Sequence, residues 1–170
     1  LGLRTRNITN IGAYYTTDRA TLGALSNLGC MAATYRTPAI FVEASGVLTN
    51  TQSTGPYRGA GRPESAYLIE TMIDAAAREL DLDGVEIRRR NTISADAMPF
   101  KTGLTYTYDS GDFIKNLEDG ITRADYDGFP ARRETYNKAE KLRGISVVNV
   151  VEEAARALLE MSELRFDASG

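Results

Sequence analysis

The segment best suited to chemistry is a glycine-rich loop, GPYRGAGRPE, at residues 55–64. Its glycines permit positive φ angles and let a ligand approach the main chain closely. Arg58 and Arg62 lie beside the predicted start of a helix, where the first N–H groups have no partner within the helix. This combination suits an anion. From spacing alone, a tight turn that carries two solvated arginines is favoured, because isolated glycine-rich patterns occur in many proteins without a bound ligand.

The loop lacks the residues of the common nucleotide-binding motifs. No Gly-Lys-Ser/Thr follows its glycines, and the chain has no GxGxxG pattern at this loop. We therefore assign it neither to the P-loop proteins nor to the dinucleotide-binding proteins.

The composition excludes several catalytic classes. The 170 residues include no His and one Cys, so this chain alone forms no Ser-His-Asp or Cys-His constellation, no HExxH zinc site and no four-Cys iron–sulfur site. A net charge of −3 gives no excess of positive charge for nucleic-acid binding. No apolar run approaches the roughly 18 residues of a membrane span. We expect a soluble, cytoplasmic chain whose proton chemistry falls to Asp, Glu, Tyr, Lys or a bound cofactor.

Other polar clusters have simpler explanations. The oxygen-bearing side chains of residues 106–112 could ligate a cation, but Ser110 or Asp112 as a helix cap is favoured. The run from Arg88 to Arg90 could bind phosphate, but arginines at the end of a short helix usually lie in solvent and favour the helix dipole. Cys30 is predicted to be a small buried residue, because no His is present to activate it.

Two further carboxylates, Glu152 and Glu153, lie beside an apolar run. One of them could be a buried general base, but the polar end of a strand is favoured.

Strand patterns dominate the first third of the chain. Residues 1–15 predict an extended segment interrupted at Gly12, and residues 39–50 predict a strand with a bulge at Gly46. Between them, a helix is predicted from Asp18 to a stop at Gly29.

The clearest element is an amphipathic helix from Glu64 to Leu80, with Pro63 at its first position. A short helix is predicted from Val85 to Arg90, a loop over residues 94–111, and a weaker helix over residues 113–124. The polar stretch from Phe129 carries no such pattern, and a change of composition near Lys141 marks a candidate domain boundary. Near the end of the chain, Leu164 and Phe166 alternate as in a strand that turns them inward.

We predict an α+β fold with a mixed or antiparallel sheet covered by the 64–80 helix.

Several short motifs resemble one known family in order along the chain. They are GAY at 12–14, YRTPAIFVEASGVLTNT at 35–51, GPYRGAGRPE, ARELDLDGVEIRRRN at 77–91, YDSGD at 108–112, DGFPARR at 127–133 and LRGI at 142–145. Together they are similar to the molybdenum-binding large subunit of the xanthine dehydrogenase, aldehyde oxidase and aerobic carbon monoxide dehydrogenase family. The resemblance implies that residues 1–140 are the C-terminal part of the first molybdopterin-binding domain and that residues 141–170 begin the second.

The resemblance also implies a cofactor and partners. It implies molybdenum with molybdopterin, as the cytosine dinucleotide in bacterial members, and oxidation of an aldehyde, heterocycle or similar small molecule with water-derived oxygen. It further implies iron–sulfur and FAD subunits or domains beside the rest of the large subunit.

Individual residues of the loop take roles by the same resemblance. Tyr57 and Arg58 match the aromatic–Arg pair that packs against the molybdenum end of the cofactor. The cofactor-binding loop is completed by Gly59, Ala60, Gly61 and Arg62. Gly59 stands where copper–molybdenum carbon monoxide dehydrogenases carry Cys, so the resemblance implies no copper site.

The substrate pocket is assigned to two small residues. Ala60 stands where xanthine and aldehyde oxidases carry a Phe that packs on the substrate, and an ungapped comparison places Ser26 where purine-oxidising members carry an Arg. Both differences disfavour purine substrates. The resemblance places the general-base Glu and the metal-contacting Gly-rich loop outside this chain, so no catalytic residue and no metal ligand is assigned here.

We therefore expect a fragment of a molybdenum hydroxylase large subunit that is inactive alone and associates with itself through exposed apolar surface. The alternative is an autonomous binding or assembly module that keeps the fold without catalysis.

Overall fold

Short strands and helices are interspersed along the chain in the computed structural model, which describes residues 2–15, 28–152 and 161–169. The elements are β1 (Leu3–Gly12), a 3₁₀ helix (Leu28–Ala32), β2 (Ile40–Leu48), α1 (Arg62–Glu79), α2 (Gly84–Asn91), a 3₁₀ turn (Ala95–Ala97), β3 (Phe100–Lys101), β4 (Thr107–Tyr108), α3 (Phe113–Arg123) and α4 (Phe129–Lys138). The predicted α+β class is confirmed. The described strands form a parallel pair, β1–β2, and an antiparallel pair, β3–β4.

The β1–β2 pair shows where the chain needs a special backbone conformation. The predicted bulge at Gly46 is wrong, because Gly46 pairs in register with Thr9 and the irregularity falls on β1 between Asn10 and Gly12. Gly12 has φ 83°, and a Cβ there would collide with the backbone of Gln52 and Ser53. The positive φ and the close approach therefore require glycine at the end of β1.

Helix α1 meets the parallel pair through one shared apolar cluster. It begins at Arg62 with Gly61 as N-cap, so Pro63 is the second helical residue instead of the first. Ile69 on its inner face packs in one cluster with Met31 and Tyr35, and Leu3 and Val42 of the strands pack against that cluster.

The later part of the chain contains both predicted and unpredicted elements. The helices expected at 85–90 and 113–124 are α2 and α3. The loop expected at 94–111 contains the β3–β4 hairpin, and the polar stretch from Phe129 forms α4. Helix α4 has no buried residue; instead it is held by Arg132, which donates to the carbonyl groups of Ala124 and Asp125. A helix held in this way shows no apolar stripe in its sequence.

Two other expectations are not met within the described residues. Leu164 and Phe166 are exposed, and residues 161–169 contain no strand. Gly29 lies inside the 3₁₀ helix instead of ending a helix. Residues 18–27 of the predicted helix lie outside the described residues. None of the helices in the described ranges is both long and apolar enough to cross a membrane.

A buried ion pair connects α1 and α2. The prediction that Arg88 lies in solvent is wrong, because Arg88 is 1% exposed. Its Nε donates to Glu70 Oε2 at 2.8 Å and its Nη2 to Asp74 Oδ1 at 2.9 Å. Tyr35 donates its hydroxyl to Glu70 Oε1 at 2.6 Å, and Asn149 donates to the Tyr35 hydroxyl at 3.3 Å. Acidic partners on α1 thus allow the arginine to be buried.

The protonation states follow from this pairing. Burial lowers the pKa of Arg88, but the hydrogen bond and charge of Glu70 outweigh it, so that the pKa lies above its ordinary value. Burial, followed by the hydrogen bond to Glu70, raises the pKa of Tyr35. The arginine is therefore charged, and the tyrosine neutral, at physiological pH.

Replacing Arg88 by Met tests this network. We expect Arg88→Met to lower the free energy of unfolding by about 3–5 kcal/mol, because it leaves a carboxylate buried without its cation. Arg90→Met, in the same helix, removes an exposed ion pair with Glu86. It should change the free energy of unfolding by less than about 1 kcal/mol. Denaturant titration of both variants measures the difference, and equal effects would contradict the proposed importance of the buried pair.

Candidate functional site

Three residues of the predicted cofactor loop form a strained turn before α1. Gly59, Ala60 and Gly61 have successive positive φ angles of 91°, 36° and 98°. The Ala60 N–H donates to the Tyr57 carbonyl at 2.8 Å, and the Arg62 N–H donates to the Gly59 carbonyl at 3.0 Å. The two glycines adopt the left-handed region without strain, whereas Ala60 does so at a cost that its surroundings must offset.

The loop presents its tip to the surface. Tyr57 is 87% exposed and Arg58 is also exposed. The tip adjoins the N-terminus of α1, which is 18 residues long and has no side-chain cap. The helix dipole and the Arg58 guanidinium therefore both favour a negatively charged group at this point.

The second arginine of the loop points elsewhere. The Arg62 side chain is only 11% exposed, and its Nε lies 3.0 Å from Glu152 Oε1. Glu152 was predicted to end a strand, but it lies outside any regular element. Two guanidinium groups that are close in sequence thus have different surroundings.

Arg62 and Glu152 line a cavity of about 440 Å³ between the start of α1 and the β3–β4 hairpin. Its wall is formed by Cys30, Arg62, Tyr106, Thr107, Tyr108, Asp109, Ser110, Phe113, Val151 and Glu152. Cys30 is half-buried, so the prediction of a buried thiol is only partly met. The mixture of aromatic, hydroxyl and charged groups gives the cavity both apolar and polar walls.

Tyr108 fixes one side of this cavity. Its hydroxyl donates to the Ala33 carbonyl at 2.7 Å, and its ring meets Phe113 edge to face at 5.7 Å. Burial, with smaller contributions from Cys30 and Tyr106, raises the pKa of Tyr108 to about 12. The hydroxyl is therefore a neutral donor that holds the hairpin against the segment before β2.

The remaining candidates divide into structural and undescribed residues. Asp112 caps α3 by accepting from the Lys115 N–H at 2.9 Å, which confirms the favoured interpretation of that cluster. In the described part of the chain, no three His, Cys, Asp or Glu side chains are grouped as metal ligands would be. Ser26 and Glu153 lie outside the described residues, so the pocket role of Ser26 stays a prediction.

A family model and several known proteins match this chain. The model of the molybdopterin cofactor-binding domain family matches residues 1–92. The gamma subunit of the 6-hydroxypseudooxynicotine dehydrogenase complex of Paenarthrobacter nicotinovorans is 27% identical over 100% of this chain and 22% of its own length. The carbon monoxide dehydrogenase large chain of Hydrogenophaga pseudoflava is 31% identical over 89% of this chain and 20% of its own length.

A solved structure shares the fold. Quinoline 2-oxidoreductase of Pseudomonas putida 86 matches with a TM-score of 0.72 and 27% identity, over 81% of this chain and 18% of that chain. This chain therefore spans about a fifth of the length of the curated relatives named above.

Two glycines at the loop provide a matched test of its conformation. A Cβ on Gly59 would lie 2.8 Å from Pro63 Cδ and would sit on a left-handed backbone, whereas a Cβ on Gly55 meets nothing within 4 Å. Gly59→Ala should lower the free energy of unfolding by about 1–3 kcal/mol, and Gly55→Ala should change it by less than about 1 kcal/mol. Thermal unfolding of both variants measures this, and equal stability would contradict the described turn.

Proposed function

This chain belongs to the family of molybdopterin cofactor-binding domains, and from that membership we propose that it is part of a molybdenum hydroxylase large subunit. Its relatives include a carbon monoxide dehydrogenase large chain and a dehydrogenase complex subunit. The observation that carries the proposal is the position of the predicted cofactor loop at the uncapped N-terminus of α1.

The loop fits an anionic cofactor on physical grounds. Its tip carries the exposed Arg58, and its backbone takes left-handed conformations at Gly59 and Gly61. A backbone with few side chains and a positive helix end accommodates phosphate-bearing groups. When bound, a molybdenum–molybdopterin cofactor supplies the redox chemistry that oxidises a small molecule with water-derived oxygen.

Each loop residue has a proposed task in holding that group. Tyr57 and Arg58 contact the cofactor with side chain and backbone. The small residues Gly59, Ala60 and Gly61 let it approach the main chain, and Arg62 completes the loop at the start of α1. Ala60, together with Ser26, leaves space for the substrate, which is an aldehyde, a heterocycle or a similar small molecule. Gly59 has no thiol, so no copper ligand is proposed.

The activity of the parent protein extends beyond this chain. We assign residues 1–140 to the first cofactor-binding domain and residues 141–170 to the start of the second, consistent with the end of α4 at Lys138 and the absence of regular elements from 141 to 152. The catalytic base is supplied by the remainder of the large subunit, and the electron acceptors by iron–sulfur and FAD components. The cofactor as cytosine dinucleotide, the cytoplasmic location and the inactivity of the isolated chain belong to the same proposal.

Arg58 tests the role of the loop. In the full-length complex, Arg58→Ala should lower molybdenum content by about tenfold, because a charge-assisted hydrogen bond to the cofactor is lost. Arg133→Ala removes another exposed arginine, on α4, and should leave the molybdenum content unchanged. Metal analysis and dye reduction measure both variants; full retention of both quantities by Arg58→Ala would refute the assigned role.

The outer face of the β1–β2 pair predicts self-association of the isolated chain. Ile8, Phe41 and Val47 are exposed there, although parallel strands normally bury both faces. We expect oligomers in size-exclusion chromatography with light scattering, and Ile8→Thr should reduce them because it removes exposed apolar area. A clean monomer at dilute and at high concentration would contradict this expectation.

A further inference from the structure

The segment that follows α4 crosses the domain as an extended strap, defined here as residues 147–152. Val147 packs against the cluster of Val85, Leu117 and Ile121. Asn149 is 8% exposed and reaches the Tyr35 hydroxyl. Val148 and Val150, which alternate with these two residues, are exposed. This alternation fixes the side of the strap that faces the domain.

The strap ends at the predicted cofactor loop. Val151 and Glu152 both line the cavity beside the start of α1, and Glu152 pairs with Arg62 at 3.0 Å. The strap thus places the Glu152 carboxylate beside Arg62, the first helical residue after the strained turn, although the two residues are about 90 positions apart in the chain.

The strained turn needs such an external restraint. Ala60 has φ 36°, between two glycines that also have positive φ angles. A non-glycine residue in this region persists when contacts around it outweigh the local cost. Arg62 follows the turn directly and is fixed by a partly buried ion pair, so this pair limits how far the turn can relax.

The ion pair also gives the two arginines of the loop different surroundings. Arg58 is exposed at the loop tip, whereas the charge of Arg62 is balanced by the Glu152 carboxylate, whose side chain is 63% exposed at the cavity edge. A guanidinium that is already paired with a carboxylate attracts an added anion less strongly than an exposed one.

From these contacts we propose that Glu152 is a positioning residue for the cofactor loop. Its carboxylate holds Arg62 inward and so keeps the turn in the conformation that presents Arg58 to the cofactor. This assignment rests on the proposed function of the loop, and it makes Arg62 a structural residue and Arg58 the cation that faces the ligand.

Hydrogen–deuterium exchange in the full-length protein tests the assignment. The reporters are the amides of Ala60 and Arg62, which donate within the turn. Glu152→Gln should speed their exchange about fivefold, the loosening expected when one partly exposed ion pair is lost. Arg62→Lys keeps the charge and should stay within about twofold of the wild type. In an Arg62→Gln background, Glu152→Gln should add no further effect, because the pair is already broken.

Molybdenum content supplies the second measurement. Glu152→Gln and Arg58→Gln should both lower it, but only Glu152→Gln should speed exchange in the turn. The matched control is Glu134→Gln, which removes an exposed carboxylate paired with Lys138 on α4 and should change neither quantity.

The outcomes separate the two proposals. Unchanged exchange at Ala60 and Arg62, unchanged molybdenum content in Glu152→Gln, or faster exchange across the whole protein would each overturn the positioning role. A wild-type protein that holds no molybdopterin would instead overturn the proposed function, and exchange in the turn would then decide by itself whether Glu152 holds Arg62.

Discussion

The buried pair of Arg88 and Glu70 is the interaction on which the arrangement of this chain depends. Two charges removed from water must be paired and hydrogen-bonded on nearly every side, or they destabilise the fold. Here Glu70 accepts from Arg88 and Tyr35, and Arg88 also donates to Asp74 and the Gly84 carbonyl. Because these partners lie on α1, on α2 and before β2, satisfying the pair fixes the relative positions of all three.

The position of the candidate site follows from that constraint. The proposed cofactor loop is the direct N-terminal extension of α1, so the ion pair that orients α1 also orients the loop. Asn149 joins the same network through Tyr35, and the strap continues from it to Glu152 beside Arg62. The core and the strained turn are therefore connected by two routes, one along the helix and one along the strap.

Sequence patterns predicted the elements whose signal is local. Helix α1 has an apolar stripe, and β1 and β2 alternate as half-buried strands do. Sequence patterns did not predict elements whose surroundings are formed by residues distant in the chain. Arg88 is the middle residue of a short, charged helix that looks solvent-exposed in sequence, and α4 has no buried residue to create a periodic signal. One signal for the buried pair is present in the sequence: Glu70 lies beside Ile69 on an amphipathic helix, and a carboxylate buried there requires a cation nearby.

The sequence by itself determined the family resemblance, the α+β class, the major helices and the loop with its glycines and arginines, because these depend on residue type and short spacing. Only the tertiary structure decided that the bulge falls on β1 instead of at Gly46, that Arg88 is buried, and that Arg58 and Arg62 face different surroundings. The physical reason is that the state of a charged side chain depends on its partners. The partners here, Glu70 for Arg88 and Glu152 for Arg62, are brought near by folding and not by sequence distance.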